Sequence, residues 1–366
     1  MVFYHGRHFR NLLNMRKKFK IANKIIGDGH PTFLIAEIAS NHNRSRVTTK
    51  KLIEAAADSG FDAVKFQIYD AEQAFSKKEM TTDVGLDHLY GVKPWWQIAR
   101  DKILMPRSWF KEMFEYVRKV GLIPLSAIHR VEDCEFLLKY KLPAIKIASI
   151  DLNYYHLLKQ LVKFKLPMIV STGMASEKEI QETYIKLKKW NQKDLSFLHC
   201  VSVYPPKPEN VNLNNIILFK KKYNLPIGFS EHSSGTCTSV SSVVLGSNIV
   251  EKHITLDKNY PGPDHPFAIE PDQMKKMVSE IREIEKSLGS YKRILSKQEE
   301  KNKKMIRRSI VASKLIEKDT KISLNNTKFA RPGTGIPSND FYKLDGKLAK
   351  KNITAETIIT KNMFKK

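Results

Sequence analysis

The hexapeptide Ala63-Val-Lys-Phe-Gln-Ile68 has the composition of a buried strand, yet it carries a lysine and a glutamine. In a β-strand, side chains two residues apart point to the same face, so Lys65 and Gln67 face one way while Val64 and Phe66 face the other. In an α/β barrel the apolar face of such a strand packs on helices, and polar side chains at its carboxyl end face the active site. The segment therefore predicts a barrel strand that ends at an active site.

The same unit recurs from Thr32 to about residue 288 as a short apolar run, a polar loop and a segment with helical periodicity. The eight apolar runs are Phe33–Ile38, Ala63–Ile68, Leu122–Ser126, Ala144–Ala148, Met168–Ser171, Leu195–His199, Ile227–Ser230 and Asn248–Ile254. Eight strand–helix units over about 250 residues predict a (β/α)₈ TIM barrel rather than an open doubly wound sheet. No Gly-x-Gly-x-x-Gly follows the first run, which argues against a dinucleotide-binding fold.

Four segments are predicted along the chain: a basic N-terminal extension (1–18), the barrel (19–288), a polar linker (289–306) and a small β-rich domain (307–366). The β-rich runs predicted in the small domain are Ser309–Ala312, Thr327–Ala330 and Ile353–Ile359. The first 27 residues carry seven basic residues and no acidic one, without the apolar stretch of a secretory signal. We expect residues 1–14 to be a gene-model extension before a start at Met15, or a disordered tail. The stretch Asp70–Met105 interrupts the repeat and predicts a long insertion that shapes the active site.

Composition excludes several classes of protein. The 366 residues are 42% hydrophobic and 28% charged, which is globular, and no apolar run approaches the roughly 20 residues of a membrane span. Three cysteines without a Cys-x-x-Cys pair argue against a disulfide scaffold and favour the cytoplasm. The net charge of +25 is spread along the chain without a nucleic-acid module, so we interpret it as a solvated surface that also attracts small anions.

Charged side chains are predicted at the carboxyl ends of several barrel strands. They are Glu37, Lys65, Lys146, His232, Glu251 and His253. A single strand histidine or lysine is usually a hydrogen-bonded core or edge residue, but burying several charges together is costly unless function retains them. Their convergence therefore predicts an active site.

Two chemistries are open for these groups. His232 and His253 could hold a divalent ion, and two histidines with few carboxylates suit Mn²⁺, Zn²⁺ or Fe²⁺. Lys65 and Lys146 could cradle a phosphate or carboxylate together with nearby hydroxyl groups. These hydroxyl groups belong to Ser149, Ser171 and Ser230. Either lysine could instead form a Schiff base, as in a class I aldolase.

The chain also contains a set of longer motifs in a fixed order. They are Ile35-Ala-Glu-Ile-Ala-Ser-Asn-His42, Asp62-Ala-Val-Lys-Phe-Gln67, Ser171-Thr-Gly-Met174, His199-Cys-Val-Ser-Val-Tyr-Pro205, Glu209-Asn-Val-Asn-Leu213, Glu251-Lys-His-Ile-Thr-Leu-Asp257, Pro261-Gly-Pro-Asp-His265 and Arg331-Pro-Gly-Thr-Gly335. With these motifs the chain, from about Phe19 to its C-terminus, resembles the sialic acid synthase (N-acetylneuraminate synthase) family.

The resemblance implies a TIM barrel followed by an antifreeze-like SAF domain of β-clip type, in a domain-swapped, cytoplasmic homodimer. It implies a transferase that condenses phosphoenolpyruvate with N-acetylmannosamine, releasing phosphate and forming a nine-carbon 2-keto acid. Legionaminic or pseudaminic acid synthesis from a diacetamido hexose is the alternative, and a non-catalytic binder of anionic glycans or nucleic acid is the alternative from another class. The resemblance also implies a divalent metal on His232 and His253, with Mn²⁺ the first choice and Mg²⁺ or Co²⁺ as alternatives.

Roles for single residues follow from the resemblance. Phosphoenolpyruvate is expected to contact Lys65, Lys146, Ser149, Ser171, Ser202 and Ser230. The sugar is expected to contact Glu37, Gln67, Tyr204, Asp264 and the partner's Arg331, with Glu37 transferring a proton and Glu251 orienting a metal ligand. Five residues depart from the pattern that is usual in this family: Arg44, Ala127, His129, Ile150 and Glu231. Because alanine stands at position 127, one phosphate-binding hydroxyl is expected to be absent.

Overall fold

The computed structural model describes residues 18–290 and 292–365. The predicted N-terminal extension, Lys18 apart, and the alternative start at Met15 lie outside the described residues. The chain divides into two compact units between Gly289 and Ser290, and each is described by itself.

Eight parallel strands form a closed barrel in the first unit, in which the last strand pairs with the first. An antiparallel hairpin of β1 (Phe19–Ile21) and β2 (Lys24–Ile26) precedes it. The barrel strands are β3 (Phe33–Glu37), β4 (Ala63–Ile68), β5 (Ile123–Ile128), β6 (Ile145–Ile147), β7 (Met168–Ser171), β8 (Leu195–Cys200), β9 (Ile227–Glu231) and β10 (Ile249–His253). Each coincides with one predicted apolar run, so the predicted (β/α)₈ barrel is confirmed.

Helices cover the outside of the strands. Their bounds are α1 Arg46–Asp58, α2 Ala71–Ala74, α3 Asp87–Tyr90, α4 Trp95–Ile98, α5 Phe110–Lys119, α6 Val131–Leu138, α7 Tyr155–Leu161, α8 Glu177–Lys189, α9 Pro208–Val211, α10 Asn214–Tyr223, α11 Cys237–Val244 and α12 Pro271–Leu288. Helix α8 begins with a capping box between Ser176 and Glu179, which satisfies backbone donors at its first turn. In the described residues, no helix is both long and apolar enough to cross a bilayer.

The barrel interior is apolar at the amino ends of its strands. Side chains such as Ile35, Leu125 and Leu198 form one buried cluster together with Phe19 and Ile21 of the hairpin. The outward faces of the strands belong to a separate, larger cluster shared with the helices. The hairpin therefore extends the apolar plug, and polar groups inside the barrel are concentrated at the carboxyl ends of the strands.

The predicted insertion between β4 and α5 folds into the short helices α2, α3 and α4 and a π-helical turn, Ala99–Ile103. Arg44, in the loop after β3, donates from Nη1 to the carbonyl oxygens of Arg100 and Leu104, both at 2.6 Å. One guanidinium therefore links the first strand–helix loop to the insertion. The unusual residue at position 44 has a structural explanation in this contact.

The second unit begins with helix α13 (Lys297–Ile306), which occupies most of the predicted linker. Strands β11 (Ser309–Ala312) and β12 (Thr327–Ala330) pair antiparallel over a small core that includes Ile310, Ile316 and Phe341. Short 3₁₀ turns cover Ser338–Lys343 and Lys361–Met363. The predicted β-rich run Ile353–Ile359 does not form a continuous strand: Ile353 and Ile358 make only isolated bridges, since a turn at 355–356 separates them.

Candidate active site

The predicted charged residues meet at the carboxyl end of the barrel because neighbouring parallel strands are in register. His253 of β10 lies opposite Glu37 of β3, which lies opposite Lys65 of β4. Lys146 of β6 lies opposite Ala127 of β5. Side chains at these positions share the inward face at the same level, so the strand order alone brings them together.

Two lysines and two glutamates form a buried ion-pair cluster. Lys65 Nζ lies 2.6 Å from Glu37 Oε2 and 3.1 Å from Glu251 Oε1. Lys146 Nζ lies 3.7 Å from the same Glu251 oxygen and donates to Ser171 Oγ at 2.6 Å. Ser230 Oγ donates to Glu251 Oε1 at 3.2 Å. Glu251 is therefore a shared counter-ion for both lysines.

The surroundings of these four groups determine their protonation. Burial raises the pKa of the Glu37 carboxyl to about 7, although the Lys65 ammonium opposes the shift. Burial lowers the pKa of Lys146 to about 8, with Glu251 opposing. Burial works against a charged Lys65 and a charged Glu251, but their mutual attraction keeps the pKa of Lys65 raised and that of Glu251 lowered. Near neutral pH, Glu37 is thus the member of the cluster that exchanges protons most readily.

His232 and His253 lie side by side at the mouth, with ring centroids 5.3 Å apart. His232 Nδ1 is 2.9 Å from the Val201 carbonyl oxygen, an arrangement that fixes the tautomer and leaves Nε2 for a metal. Burial holds the pKa of His253 well below its usual range, which favours the neutral, ligating form, and its buried Nδ1 has no hydrogen-bond partner among the described residues. These features fit a divalent cation held by two imidazoles.

A complete metal cage is not formed by the protein alone. Within residues 18–290 and 292–365, no group of three or more histidine, cysteine, aspartate or glutamate side chains is arranged to hold a metal. A cation at His232 and His253 would take its remaining ligands from substrate and water, as open catalytic sites do. Glu251 was expected to orient a metal-binding histidine, but its carboxylate pairs with Lys65 and Lys146. The hydrogen bond that orients the His232 ring involves the Val201 carbonyl oxygen instead.

Small residues shape the part of the site next to Lys146. Ser149 Oγ accepts a hydrogen bond from the Gly173 amide at 3.0 Å and contacts Cys200 Sγ at 3.4 Å. A Cβ atom on Gly173 would lie 2.2 Å from Ser202 Oγ, so only glycine fits there. The Ser202 hydroxyl is buried without a partner among the described residues. Cys200 was not predicted as a site residue, although it lies within a quoted motif beside the predicted serines.

The residues expected to hold the sugar also lie at the mouth. Gln67 Nε2 donates to Glu37 Oε1 at 3.2 Å, and the Tyr204 ring lies 4.3 Å from the His232 ring between centroids. Asp264 Oδ2 accepts from both the backbone amide and the hydroxyl of Ser40, at 3.1 and 2.6 Å. Ser40 was not predicted, and its role as a support for Asp264 depends on loop geometry that periodicity does not encode.

Three further positions were singled out from the sequence. Arg331 belongs to the second unit, where its side chain is exposed. Ile150 lies in the turn Ser149–Asp151 with 57% of its surface exposed, so this substitution does not fill the site. Glu231 points away from the mouth and accepts hydrogen bonds from the Ser233 amide and the Thr238 hydroxyl of α11.

Family models match both parts of the chain. Residues 52–293 match the NeuB family, and residues 307–365 match the SAF domain. The chain belongs to the NeuB family. The predicted combination of a synthase barrel with a C-terminal SAF domain is therefore confirmed.

The relatives of this chain are named as synthases of different acids. The N,N'-diacetyllegionaminic acid synthase of Campylobacter jejuni is 35% identical over 330 residues, covering 90% of this chain and 98% of the relative. The pseudaminic acid synthase of Campylobacter jejuni is 34% identical over 321 residues, covering 88% and 93%. The crystal structure of N-acetylneuraminic acid (sialic acid) synthetase from Leptospira borgpetersenii in complex with citrate has a TM-score of 0.70 and 31% identity, covering 79% of this chain and 96% of that chain. The chain thus belongs to a family of nonulosonic acid synthases whose members differ in product.

Proposed function

We propose that this protein is a nonulosonic acid synthase that condenses phosphoenolpyruvate with an N-acetylated hexosamine, with N-acetylmannosamine as the first candidate. The observation that carries the proposal is the pair of buried lysines, Lys65 and Lys146, sharing the Glu251 carboxylate at the barrel mouth. A substrate that carries both a phosphate and a carboxylate matches two ammonium groups with hydroxyl groups beside them. The family membership supports the same substrate class.

The residues around the lysines suit the binding of an anion in a fixed orientation. Ser171 Oγ already accepts from Lys146, and the hydroxyl groups of Ser149 and Ser202 lie against Gly173. Orienting two reactants at such a site removes much of the entropy cost of a bimolecular reaction. Lys65 and Lys146 thus bind and hold the anion, while Gln67, Tyr204 and Asp264 are the groups available to the sugar.

The condensation balances with the groups present. The C2–C3 electron pair of phosphoenolpyruvate forms a bond to the sugar aldehyde carbon, and the aldehyde oxygen takes a proton. Glu37, with a pKa near 7, is the proton donor in reach of this chemistry. Water then adds at C2, the new hydroxyl loses its proton, and the C2–O bond breaks so that phosphate leaves with the electron pair.

A divalent cation fits the two histidines described above, and Mn²⁺ is the first choice, with Mg²⁺ or Co²⁺ as alternatives. When bound, it would supply Lewis-acid polarisation of the aldehyde. His232 and His253 would hold it, with the Val201 carbonyl fixing the ring of His232. Tyr204, packed on the His232 ring, would restrict water around it.

A diacetamido hexose is the second candidate acceptor. The Campylobacter jejuni relatives that are 35% and 34% identical to this chain are a legionaminic and a pseudaminic acid synthase. The diacetamido sugars are therefore tested beside N-acetylmannosamine. We also propose a domain-swapped homodimer, in which Arg331 of one subunit reaches the sugar bound by the other.

Phosphate release from phosphoenolpyruvate in the presence of Mn²⁺ tests the function. Each acceptor, N-acetylmannosamine or a 2,4-diacetamido hexose, is assayed alone, and mass spectrometry identifies the 2-keto acid. We expect release that depends on acceptor and metal and is lost in Lys65→Met and Lys146→Met. Release that Lys65→Met retains in full contradicts the proposal, as does borohydride trapping of pyruvate on a lysine, which indicates a Schiff-base aldolase. No release with any acceptor, together with salt-sensitive binding of polyanions, favours a non-catalytic binder.

A further inference from the structure

His129, the residue directly after β5, is a buried histidine that contacts residues following the two neighbouring strands, β4 and β6. His129 Nδ1 lies 2.6 Å from Oδ2 of Asp151, which follows β6. The imidazole ring stacks on Tyr69, which follows β4, with centroids 3.7 Å apart and an 18° interplanar angle. The carboxyl ends of three adjacent strands therefore fix both the position and the tilt of one ring.

The second nitrogen of this ring makes no hydrogen bond in the part of the chain that the structure describes. His129 is 7% exposed, and its buried Nε2 has no hydrogen-bond partner among the described residues. Buried polar groups in folded proteins are nearly always paired, and an unpaired one is costly. A histidine that served only to connect the β5 and β6 loops would need Nδ1 alone. The free Nε2 indicates a ligand.

The position of His129 connects it with the anion-binding part of the site. Ala127, two residues earlier and on the same face, lies opposite both Gln67 and Lys146 in the barrel register. Its methyl group offers no hydrogen-bond donor. The turn that carries Asp151 begins at Ser149, whose hydroxyl contacts the Gly173 amide beside Lys146. Asp151, which holds the imidazole, and Ser149, which belongs to the anion-binding part of the site, thus lie in the same turn.

Charge also favours an anion at this ring. A carboxylate such as Asp151 at the mouth would repel an anionic substrate if its charge were unbalanced. An imidazole that carries a proton on each nitrogen would balance that charge, with Nδ1–H facing Asp151 and Nε2–H left as a donor. Stacking on Tyr69 holds the ring plane, so the donor has one direction.

We infer that His129, held by Asp151 and Tyr69, is a substrate-binding residue whose Nε2–H donates to the phosphate group of phosphoenolpyruvate, beside the position where Ala127 provides no hydroxyl. The inference rests on the proposed function and names a phosphate contact within it. It also gives Asp151 a role as a positioning residue, acting through His129.

Two isosteric substitutions separate binding from structural support. In His129→Asn the amide nitrogen occupies the place of Nδ1 and keeps the contact with Asp151, but nothing replaces Nε2. In His129→Gln the amide reaches the place of Nε2 and the Asp151 contact is lost. We measure affinity for phosphoenolpyruvate, and for inorganic phosphate as a second probe, by titration calorimetry, together with KM for each substrate.

We expect His129→Asn to bind phosphoenolpyruvate about tenfold to a hundredfold more weakly, the value of one charge-assisted hydrogen bond. His129→Gln should lose less, and KM for the sugar should stay within about twofold in both. Asp151→Asn should also weaken phosphoenolpyruvate binding, because the imidazolium loses its counter-charge. This third variant carries the comparison if a substitution at position 129 lowers the melting temperature too far.

The opposite order refutes the inference: His129→Asn binding like the unmodified protein, with His129→Gln impaired, shows a structural connection only. A change in KM for the sugar alone refutes it as well. Binding of phosphoenolpyruvate without phosphate release from any acceptor refutes the proposed function but leaves the binding comparison valid. Equal binding by all variants with normal turnover refutes the inference and leaves the function standing.

Discussion

Replacing Glu251 with glutamine tests whether the shared counter-ion keeps the second active-site lysine charged. The Glu251 carboxylate lies 3.1 Å from Lys65 Nζ and 3.7 Å from Lys146 Nζ. Glutamine has nearly the same size and can still accept the hydrogen bond from Ser230, which is 3.2 Å long. The substitution is therefore mainly electrostatic, and its effect should appear at the lysine whose pKa is closest to neutrality.

The magnitude follows from the state of Lys146. Burial lowers its pKa to about 8 even though Glu251 favours the charged form. An opposite charge at this distance shifts a pKa by about 1 to 3 units, so its loss should bring the pKa of Lys146 to about 5 to 7. At pH 7 the protonated fraction then falls from about 90% to about half or less. Lys65 keeps Glu37 as its partner, so the loss of stability should fall on Lys146 and stay below the cost of a broken buried pair, about 3 to 5 kcal/mol, because Lys146 can lose its proton.

The assay is kcat/KM for phosphoenolpyruvate between pH 6 and pH 9. A proton-donating Glu37 gives an alkaline decline near pH 7, and a required ammonium on Lys146 gives a second decline near pH 8, because each group is active below its pKa and inactive above it. Glu37→Gln pairs with this test, since it removes the first decline and isolates the second. In Glu37→Gln the rate should fall and the decline near pH 8 should remain. When Glu251→Gln is added to Glu37→Gln, the decline near pH 8 should move down by about 1 to 3 pH units, and activity at pH 7 should fall about twofold to a hundredfold. An unchanged decline after the addition of Glu251→Gln would refute the reasoning.

Three further predictions concern packing, the metal and the second unit. Gly228→Ala should lower the free energy of unfolding by about 1 to 3 kcal/mol, measured by urea denaturation, because a Cβ there would lie 2.6 Å from the Ile249 carbonyl oxygen. A chelator should abolish phosphate release, and added Mn²⁺ should restore it; full activity after chelation contradicts the metal proposal. His253→Gln should lower kcat by about a hundredfold or more, and added Mn²⁺ should not restore it. Arg331→Ala should raise KM for the sugar about tenfold with KM for phosphoenolpyruvate unchanged, while Lys328→Ala on the same small domain should alter neither.

Periodicity was sufficient to predict the barrel because strand burial follows the local sequence. Each apolar run became a barrel strand, and alternation within Ala63–Ile68 correctly placed Lys65 and Gln67 on the inner face. Parallel pairing in register then brought residues far apart in sequence to one level. The same logic placed His232 and His253 side by side, with centroids 5.3 Å apart. The roles assigned to these residues remain predictions.

Contacts made by loops were not predictable in this way. The stacking of Tyr69 on His129 and the link from Arg44 to Leu104 both depend on the course of segments that follow the strands. Such segments have no repeating period, so the sequence shows which residues are present but not which ones touch. The run Ile353–Ile359 failed for a related reason: β-branched residues favour a strand, but the turn inside the run interrupts it.

Anion binding by the buried lysines differs physically from the attraction of anions by the lysines on the protein surface. The net charge of +25 is spread over solvated lysines, whose field is screened within about 8 Å at physiological salt. Lys65 and Lys146 lie 4% and 1% exposed, where screening is weak, but each is already neutralised in part by Glu251. A substrate anion must therefore compete with an internal carboxylate for the same ammonium groups, and affinity is the difference between two strong interactions. This competition favours ligands that contact both lysines at once, because a ligand that reaches only one leaves Glu251 holding the other.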